Sequence, residues 1–544
     1  MQQGLVTTAP GGPTIAGPPP PSSPPGQAHP AGSVSLLWPE SAGDGPPDPE
    51  HPPACFGDLL LDRVVSAVTA LDVDAGLEPV FWQPLDDPDT IRFRQDIMRD
   101  LEGRPLRDAV EAFVGAMASA RRHLAPPEPG APPEETARRR LDAAAVYCEA
   151  IMALETALPR HGPRSRGLQA AGARLSAYRS SPAFRSLAAD TRRLLAEAGS
   201  IRYLLRLAPG EVTVLPFRGE PDQAAGFLAA FRKFQPPDRT RGRAAPLRTA
   251  SGPLDRLERR ILHAVARLHP ATFQALAGSA AAQGAFLDPA IVRFDREVRF
   301  YLAYLKLADR LRVMGLPFCY PEITTRREVE SRDGFDLALA VARAAEGRTV
   351  VTNDLHLAGR ERIAVITGPN HGGKTTLARM FGQLHYLAAL GCPVPGTGAR
   401  LARFDRLFTH FERQESVASL RGRLLDDLVR IRRILEQATR DSIVIVNEFA
   451  AATASTDALY LGRKLLGELS RRNLLAVWVT FLDELGGFDE KTVSLVGGVD
   501  PDDPEIRTYR FARRPADGLA FALALAEKFR VTRDWLDRRL EGRP

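Results

Sequence analysis

The chain predicts an α/β domain joined to an all-α region: a helical stretch over residues 54–330, an α/β domain over 331–544, and a tail over 1–53. Three observations carry this reading. The first 53 residues hold 15 of the 45 prolines and no Lys or Arg. From Phe56 to about Glu330 apolar residues recur at steps of three and four. From Asp333 onward short apolar runs alternate with helical patterns, as expected of a nucleotide-binding α/β domain with a partly parallel sheet.

The tail, with its run Pro18-Pro19-Pro20-Pro21, offers too little apolar surface to offset the entropy of ordering, so it reads as disordered. A ligand for a proline-recognition module is the alternative reading. The tail carries four acidic residues, so the remaining chain has 72 basic against 62 acidic groups. That excess is a mild attraction toward a polyanion.

In the helical stretch the strongest element starts at Asp288 as N-cap with Pro289 in the first turn, and stops at Gly315. Ile291, Phe294, Val298, Tyr301, Leu305 and Ala308 fall on one face. Its length, roughly 40 Å at the standard rise, suits a lever or strut better than a compact core. Two interruptions break the helical pattern, Pro126 to Gly130 and Gly210 to Arg248; the second opens with Val212-Thr213-Val214-Leu215-Pro216-Phe217, a short ribbon. Within it lie Phe231-Arg232-Lys233-Phe234 and the run Arg239, Arg241, Arg243. Such arginines suit nucleic-acid phosphates; a solvated surface loop is the other reading.

The α/β half carries the chemistry. Ile363-Ala364-Val365-Ile366 reads as a strand, and Gly368-Pro369-Asn370-His371-Gly372-Gly373-Lys374-Thr375 after it matches G-x-x-x-x-G-K-[ST]. Backbone N–H groups of such a loop wrap phosphates, the lysine reaches the β- and γ-phosphates, and the Thr hydroxyl serves Mg²⁺. ATP with Mg²⁺ is the implied ligand. A second apolar strand, Ile443-Val444-Ile445-Val446, ends in Asn447-Glu448. Glu448 suits the general base that orients an attacking water. Asn447 stands where a nucleotide hydrolase carries an Asp that helps hold the metal, so Thr375 and Asn447 form a weakened metal site.

No window approaches 18 apolar residues, which excludes a membrane-spanning helix. Met1-Gln2-Gln3 lacks the basic flank and apolar core of a signal peptide. Cys55, Cys148, Cys319 and Cys392 stand far apart, arguing against a zinc or disulfide framework and for a reducing, cytoplasmic setting.

Asn353-Asp354 and Thr367-Gly368-Pro369-Asn370-His371-Gly372-Gly373-Lys374-Thr375-Thr376 resemble the ATPase domain of the MutS family of DNA mismatch-repair proteins, whose loop reads T-G-P-N-x-G-G-K-[ST]-T. Gly391-Cys392-Pro393-Val394-Pro395 is similar to its G-x-x-V-P segment, Phe404 to Thr409 to I-D-R-I-F-T, and Thr453 with Asp457 to G-T-x-x-x-D. Gly518-Leu519-Ala520 falls at its late G-[LI]-A. Pro84-Leu85, Asp87, Ile91 and Arg94-Gln95-Asp96 resemble the opening of its core domain. The resemblance implies a helical core and lever domain, a DNA clamp inserted near 210–248, and an ABC-type ATPase shared across a homodimer. It also adds Thr376 to the nucleotide-binding residues.

The departures are specific. No counterpart of the mismatch-reading F-x-E wedge precedes Phe56, so the resemblance is to a truncated branch lacking the mismatch-recognition domain. Gly422 replaces the signature serine, leaving Arg421 or Arg423 as a candidate trans cation, and Phe481 replaces the histidine of the family's T-H segment. Two classes follow: a DNA-acting ATPase binding duplex DNA by its structure, and an ATP-binding switch or scaffold with little hydrolysis that acts through a protein partner.

Overall fold

Helices of the first half begin where the capping chemistry places them. Asp87, Ser181 and Asp288 each precede a proline, and each side chain accepts backbone N–H groups of the first turn. The computed structural model describes residues 34–43, 45–70, 72, 75–127, 131–208, 211–220, 256–282, 286–412, 423–450, 453–500, 503, 506–515, 526 and 529–540. In chain order the helical part comprises α1 (Cys55–Leu59), α2 (Leu61–Thr69), α3 (Glu78–Phe81), α4 (Pro88–Glu102), α5 (Arg104–Leu124), α6 (Pro133–His161), α7 (Arg166–Arg179) and α8 (Pro182–Ser200). An antiparallel hairpin of β1 (Tyr203–Ala208) and β2 (Glu211–Pro216) supplies the expected ribbon. After it come α9 (Arg256–Leu268), α10 (Pro270–Ala282) and α11 (Pro289–Arg312).

The strut expected from α11 is not what forms. This helix keeps its cap at Asp288 but buries both its apolar stripe and much of the opposite face, including Asp295, Glu297 and Arg299. It runs through the core against α2, α4 and α5. Length misled because the buried charges had partners that a helical wheel does not reveal. Asp295 pairs with Arg299 at 3.2 Å and with Arg121 at 2.5 Å, and Arg299 reaches Asp72 at 2.5 Å. Buried charge survives only when paired in this way.

The assigned tail is corrected as well. Residues 34–38 insert into the core: Leu36 is 1% and Leu37 6% exposed. The Glu297 carboxylate accepts the Ser35 hydroxyl at 3.0 Å and the Leu36 N–H at 2.5 Å. Arg94, fully buried, donates to the Leu37 carbonyl at 3.0 Å and stacks on Trp38, while the Tyr301 hydroxyl donates to the Leu36 carbonyl. Three consecutive positions, Ser35 to Leu37, satisfy a carboxylate and a guanidinium that the helices alone would leave buried without full pairing.

The α/β part contains β3 (Phe318–Cys319), β4 (Glu322–Thr324), β5 (Val329–Gly334), α12 (Leu337–Ala345), β6 (Asn353–Leu357), β7 (Ile363–Thr367) and α13 (Lys374–Ala389). It continues with β8 (Val394–Pro395), β9 (Gly398–Ala402), β10 (Leu407–His410), α14 (Arg423–Gln437), β11 (Ile443–Asn447), α15 (Ser455–Arg471), β12 (Leu475–Val479), β13 (Thr492–Val499), β14 (Arg507–Arg513) and α16 (Arg533–Leu540). The expected boundary between residues 330 and 331 cuts through β5, so the α/β part starts earlier than the sequence reading had it. A six-stranded sheet of order β10-β11-β12-β7-β13-β14 is parallel except for its last pair. A four-stranded sheet, β4-β9-β5-β6, and the short pair β3-β8 accompany it.

Strands β7, β11 and β12 are buried along their full length, as parallel strands covered on both faces must be. Their residues alternate between two cores. Ala364, Ile366, Ile445 and Val477 join the main core with α13, whereas Val365, Val444, Val446 and Trp478 join a second with α14 and α15. Among the described residues no helix is long and apolar enough to cross a membrane.

Candidate nucleotide site

Parallel pairing brings the carboxyl ends of β7, β11 and β12 to one edge of the sheet. Segments following such ends form the usual ligand crevice of α/β folds. After β7 the chain turns through Gly368, at φ +126°, where a Cβ would lie 2.9 Å from the Gly497 nitrogen. Only glycine permits that approach. Gly373, at φ +90°, opens α13, and its neighbours Asn370 and His371 stand exposed at the loop crest. The Asn370 carbonyl accepts from Arg507 of β14 at 3.3 Å.

Lys374 is the first residue of α13 and only 5% exposed. Its ammonium donates to the Gly368 carbonyl at 2.9 Å and the Pro369 carbonyl at 3.2 Å. Burial pushes its pKa below the ordinary lysine value, an effect opposed by the Glu448 and Asp483 carboxylates. Thr375 donates its hydroxyl to the Asn447 side-chain oxygen at 3.0 Å, tying the loop helix to the end of β11. Thr376 points to another partner set, accepting from Arg379, which in turn is paired with Asp336. The expected residues Gly368 to Thr375, Asn447 and Glu448 therefore meet at one edge.

Glu448 follows β11, is half-buried, and holds a left-handed backbone at φ +57°. Its N–H donates to the Val479 carbonyl at 3.0 Å, while Phe449 and Ala450 turn inward. A non-glycine residue in that region costs of order 1–3 kcal/mol and persists where surroundings impose it. Here the turn leaves the Glu448 carboxylate near the lysine. Thr375 and Asn447 offer two oxygen donors of the type Mg²⁺ takes, and their side chains are already paired, so the residues present fit that ion.

Two contributors were not assigned site roles from sequence. The Phe481 ring lies 4.2 Å from the Lys374 ammonium, and Asp483 acts on the same ammonium electrostatically. Both sit just beyond β12, whose adjacency to β7 no local spacing announces. Tyr509 and Phe511 of β14 flank the loop, within 3.5 and 3.8 Å of where a Cβ on Gly373 would stand. The arginines Arg239, Arg241 and Arg243, and Arg421 and Gly422 of the signature segment, lie outside the described residues, as does the side chain of Arg423. No cluster of three or more metal-ligating side chains occurs among the described residues.

Fold and site together define an α/β protein with a glycine-rich loop between a central parallel strand and the following helix. Within that class, residues 364–496 match MutS domain V. The chain is 33% identical over 172 residues to DNA mismatch repair protein MutS of Desulfovibrio desulfuricans, covering 31% of this chain and 18% of that protein. It is 38% identical over 113 residues to DNA mismatch repair protein MutS 2 of Halobacterium salinarum, covering 21% and 13%. To Endonuclease MutS2 of Gemmatimonas aurantiaca it is 34% identical over 142 residues, covering 26% and 17%. The matched stretch thus spans less than a fifth of the length of each of these relatives.

Proposed function

We propose that the chain binds ATP with Mg²⁺ at the loop 368–376 and hydrolyses it in a DNA-linked transaction, as a MutS-type ATPase acting on duplex DNA by its structure. The observation that carries this is the Thr375–Asn447 hydrogen bond at 3.0 Å with Lys374 and Glu448 beside it, which supports a single phosphate and metal site built from two distant motifs. Loop amides and the α13 N-terminus would stabilise phosphate charge, and Lys374 would reach the β- and γ-phosphates. When bound, Mg²⁺ would neutralise phosphate charge, held by Thr375 and Asn447. Glu448 would accept a proton from the attacking water, its carboxylate held in place by the left-handed turn after β11.

The helical region as core and lever, a clamp near 210–248 with Arg239, Arg241 and Arg243 on DNA phosphates, and homodimerisation are parts of the same proposal. A protein partner belongs instead to the alternative reading. A second reading, an ATP-binding switch with little turnover, is favoured by the neutral Asn447 at the metal position.

The test is steady-state ATP turnover of the purified chain with and without linear, mismatched and branched duplexes, beside Glu448→Gln. The expected result is DNA binding at low salt and turnover that falls about 100-fold or more in the variant with ATP binding retained. DNA binding with turnover that the variant leaves unchanged would remove the assignment of Glu448. Absence of DNA binding at low salt would remove the DNA-acting reading.

A further inference from the structure

An ammonium group has three N–H donors, and at Lys374 two of them are taken by carbonyls while an aromatic ring faces the nitrogen. Two donate to the Gly368 and Pro369 carbonyls, at 2.9 and 3.2 Å. The Phe481 ring faces the nitrogen at 4.2 Å from its centroid, well inside the range in which an aromatic face attracts a cation. A phosphate oxygen arriving at Lys374 meets these three neighbours. The two carbonyls belong to the loop that cradles the lysine, whereas Phe481 is half-exposed at the mouth of the site.

The ring is held there by its own strand end. Thr480 N–H donates to the Ile366 carbonyl of β7 at 3.1 Å, and the buried Thr480 hydroxyl accepts from Leu482 N–H at 3.0 Å. The residue before Phe481 is therefore fixed to the strand that launches the glycine-rich loop, and the residue after it is tied back to Thr480. Rotation about the Phe481 side-chain bonds is the motion left to the ring.

We propose that Phe481 is a positioning residue for the terminal phosphates: its ring caps Lys374 and competes with nucleotide phosphate for that ammonium. The ring offers a quadrupole and the phosphate a full charge, so phosphate wins, but against a standing competitor. This inference rests on the reading of loop 368–376 as a nucleotide site, and it concerns how strongly that site holds its ligand. Its consequence is that removing the ring strengthens binding, the reverse of what loss of a ligand contact would do.

The experiment measures ATP and ADP affinity by calorimetry for the full chain and for Phe481→Leu, Phe481→Ala and Phe481→Tyr, each also in a Lys374→Ala background. Expected is a three- to tenfold gain, roughly the worth of one cation–π contact, for the Leu and Ala variants, with Phe481→Tyr close to the parent. The gain should vanish in the Lys374→Ala background, because the cycle isolates the pair. Unchanged or weaker binding in Phe481→Leu overturns the proposal, as does a gain that persists without Lys374. If neither the parent nor any variant binds ATP or ADP, the nucleotide reading itself falls and this inference falls with it. Phe481 is half-exposed, so these variants leave the core intact, and thermal unfolding of each serves as the control.

Discussion

Asn447 keeps an acceptor oxygen for Thr375 but lacks the charge that a carboxylate would place beside a divalent ion. At about 4 Å and an effective dielectric near 20 that charge is worth up to about 4 kcal/mol. Asn447→Asp should therefore lower the Mg²⁺ concentration needed for half-maximal nucleotide binding by at least about tenfold, read by metal titration. At His385 on α13 burial pushes the imidazole down to about 4, and its Nε2 finds no partner. The unfolded chain takes up this proton near pH 6.5 and the folded chain only near 4, so stability is full above 6.5 and falls as the pH drops toward 4. The loss is of order 3 kcal/mol. Chemical denaturation at pH 7 and pH 4.5 should show that decline, and His385→Leu should reduce it.

Elements explain why those residues meet. Helix α13 carries the loop's lysine at one end and packs along its length against α1 and β11, with Gly382 at the closest approach. A Cβ there would lie 2.6 Å from Leu59 Cδ2 and 2.7 Å from Ile445 Cδ1. Alanine improves helix propensity by about 1 kcal/mol, but overpacking a buried contact costs about 1–3 kcal/mol. Gly382→Ala is expected to lower stability on balance, with a reduced midpoint in urea unfolding. Nucleotide affinity should fall with it if the shift carries to Lys374. The glycine is thus needed for space between helix and strand, since its helical backbone would accept any residue.

Across the whole molecule, the segment 34–38 ties the chain's first described residues to α4 and α11. Leu36→Ala should cost about 2–5 kcal/mol, as for a fully buried leucine, and should also loosen the Glu297 and Arg94 pairings beside it. Differential scanning calorimetry reads the first effect. Amide exchange at Leu37 and Trp38 reads the second. A composition average over 53 residues hid this plug, because three buried residues and the partly buried Val34 and Trp38 were diluted by the prolines around them.

Local chemistry in the sequence was enough for the glycine-rich loop, the strands β7 and β11, the cap at Asp288, and the MutS resemblance. Each depends on residues close in sequence: glycines for a tight turn, an unbroken apolar run for a buried strand, an acceptor side chain ahead of a proline for a helix start. Only the tertiary structure decided that α11 is core, that residues 34–38 are buried, and that Phe481 and Asp483 stand beside Lys374. Those outcomes turn on pairing between residues as much as 265 positions apart, Leu36 with Tyr301, and on the strand order that sets β12 between β11 and β7. Sequence spacing carries no signal for either, since burial of a charge depends on a partner and the neighbourhood of a strand end depends on which strand lies next to it.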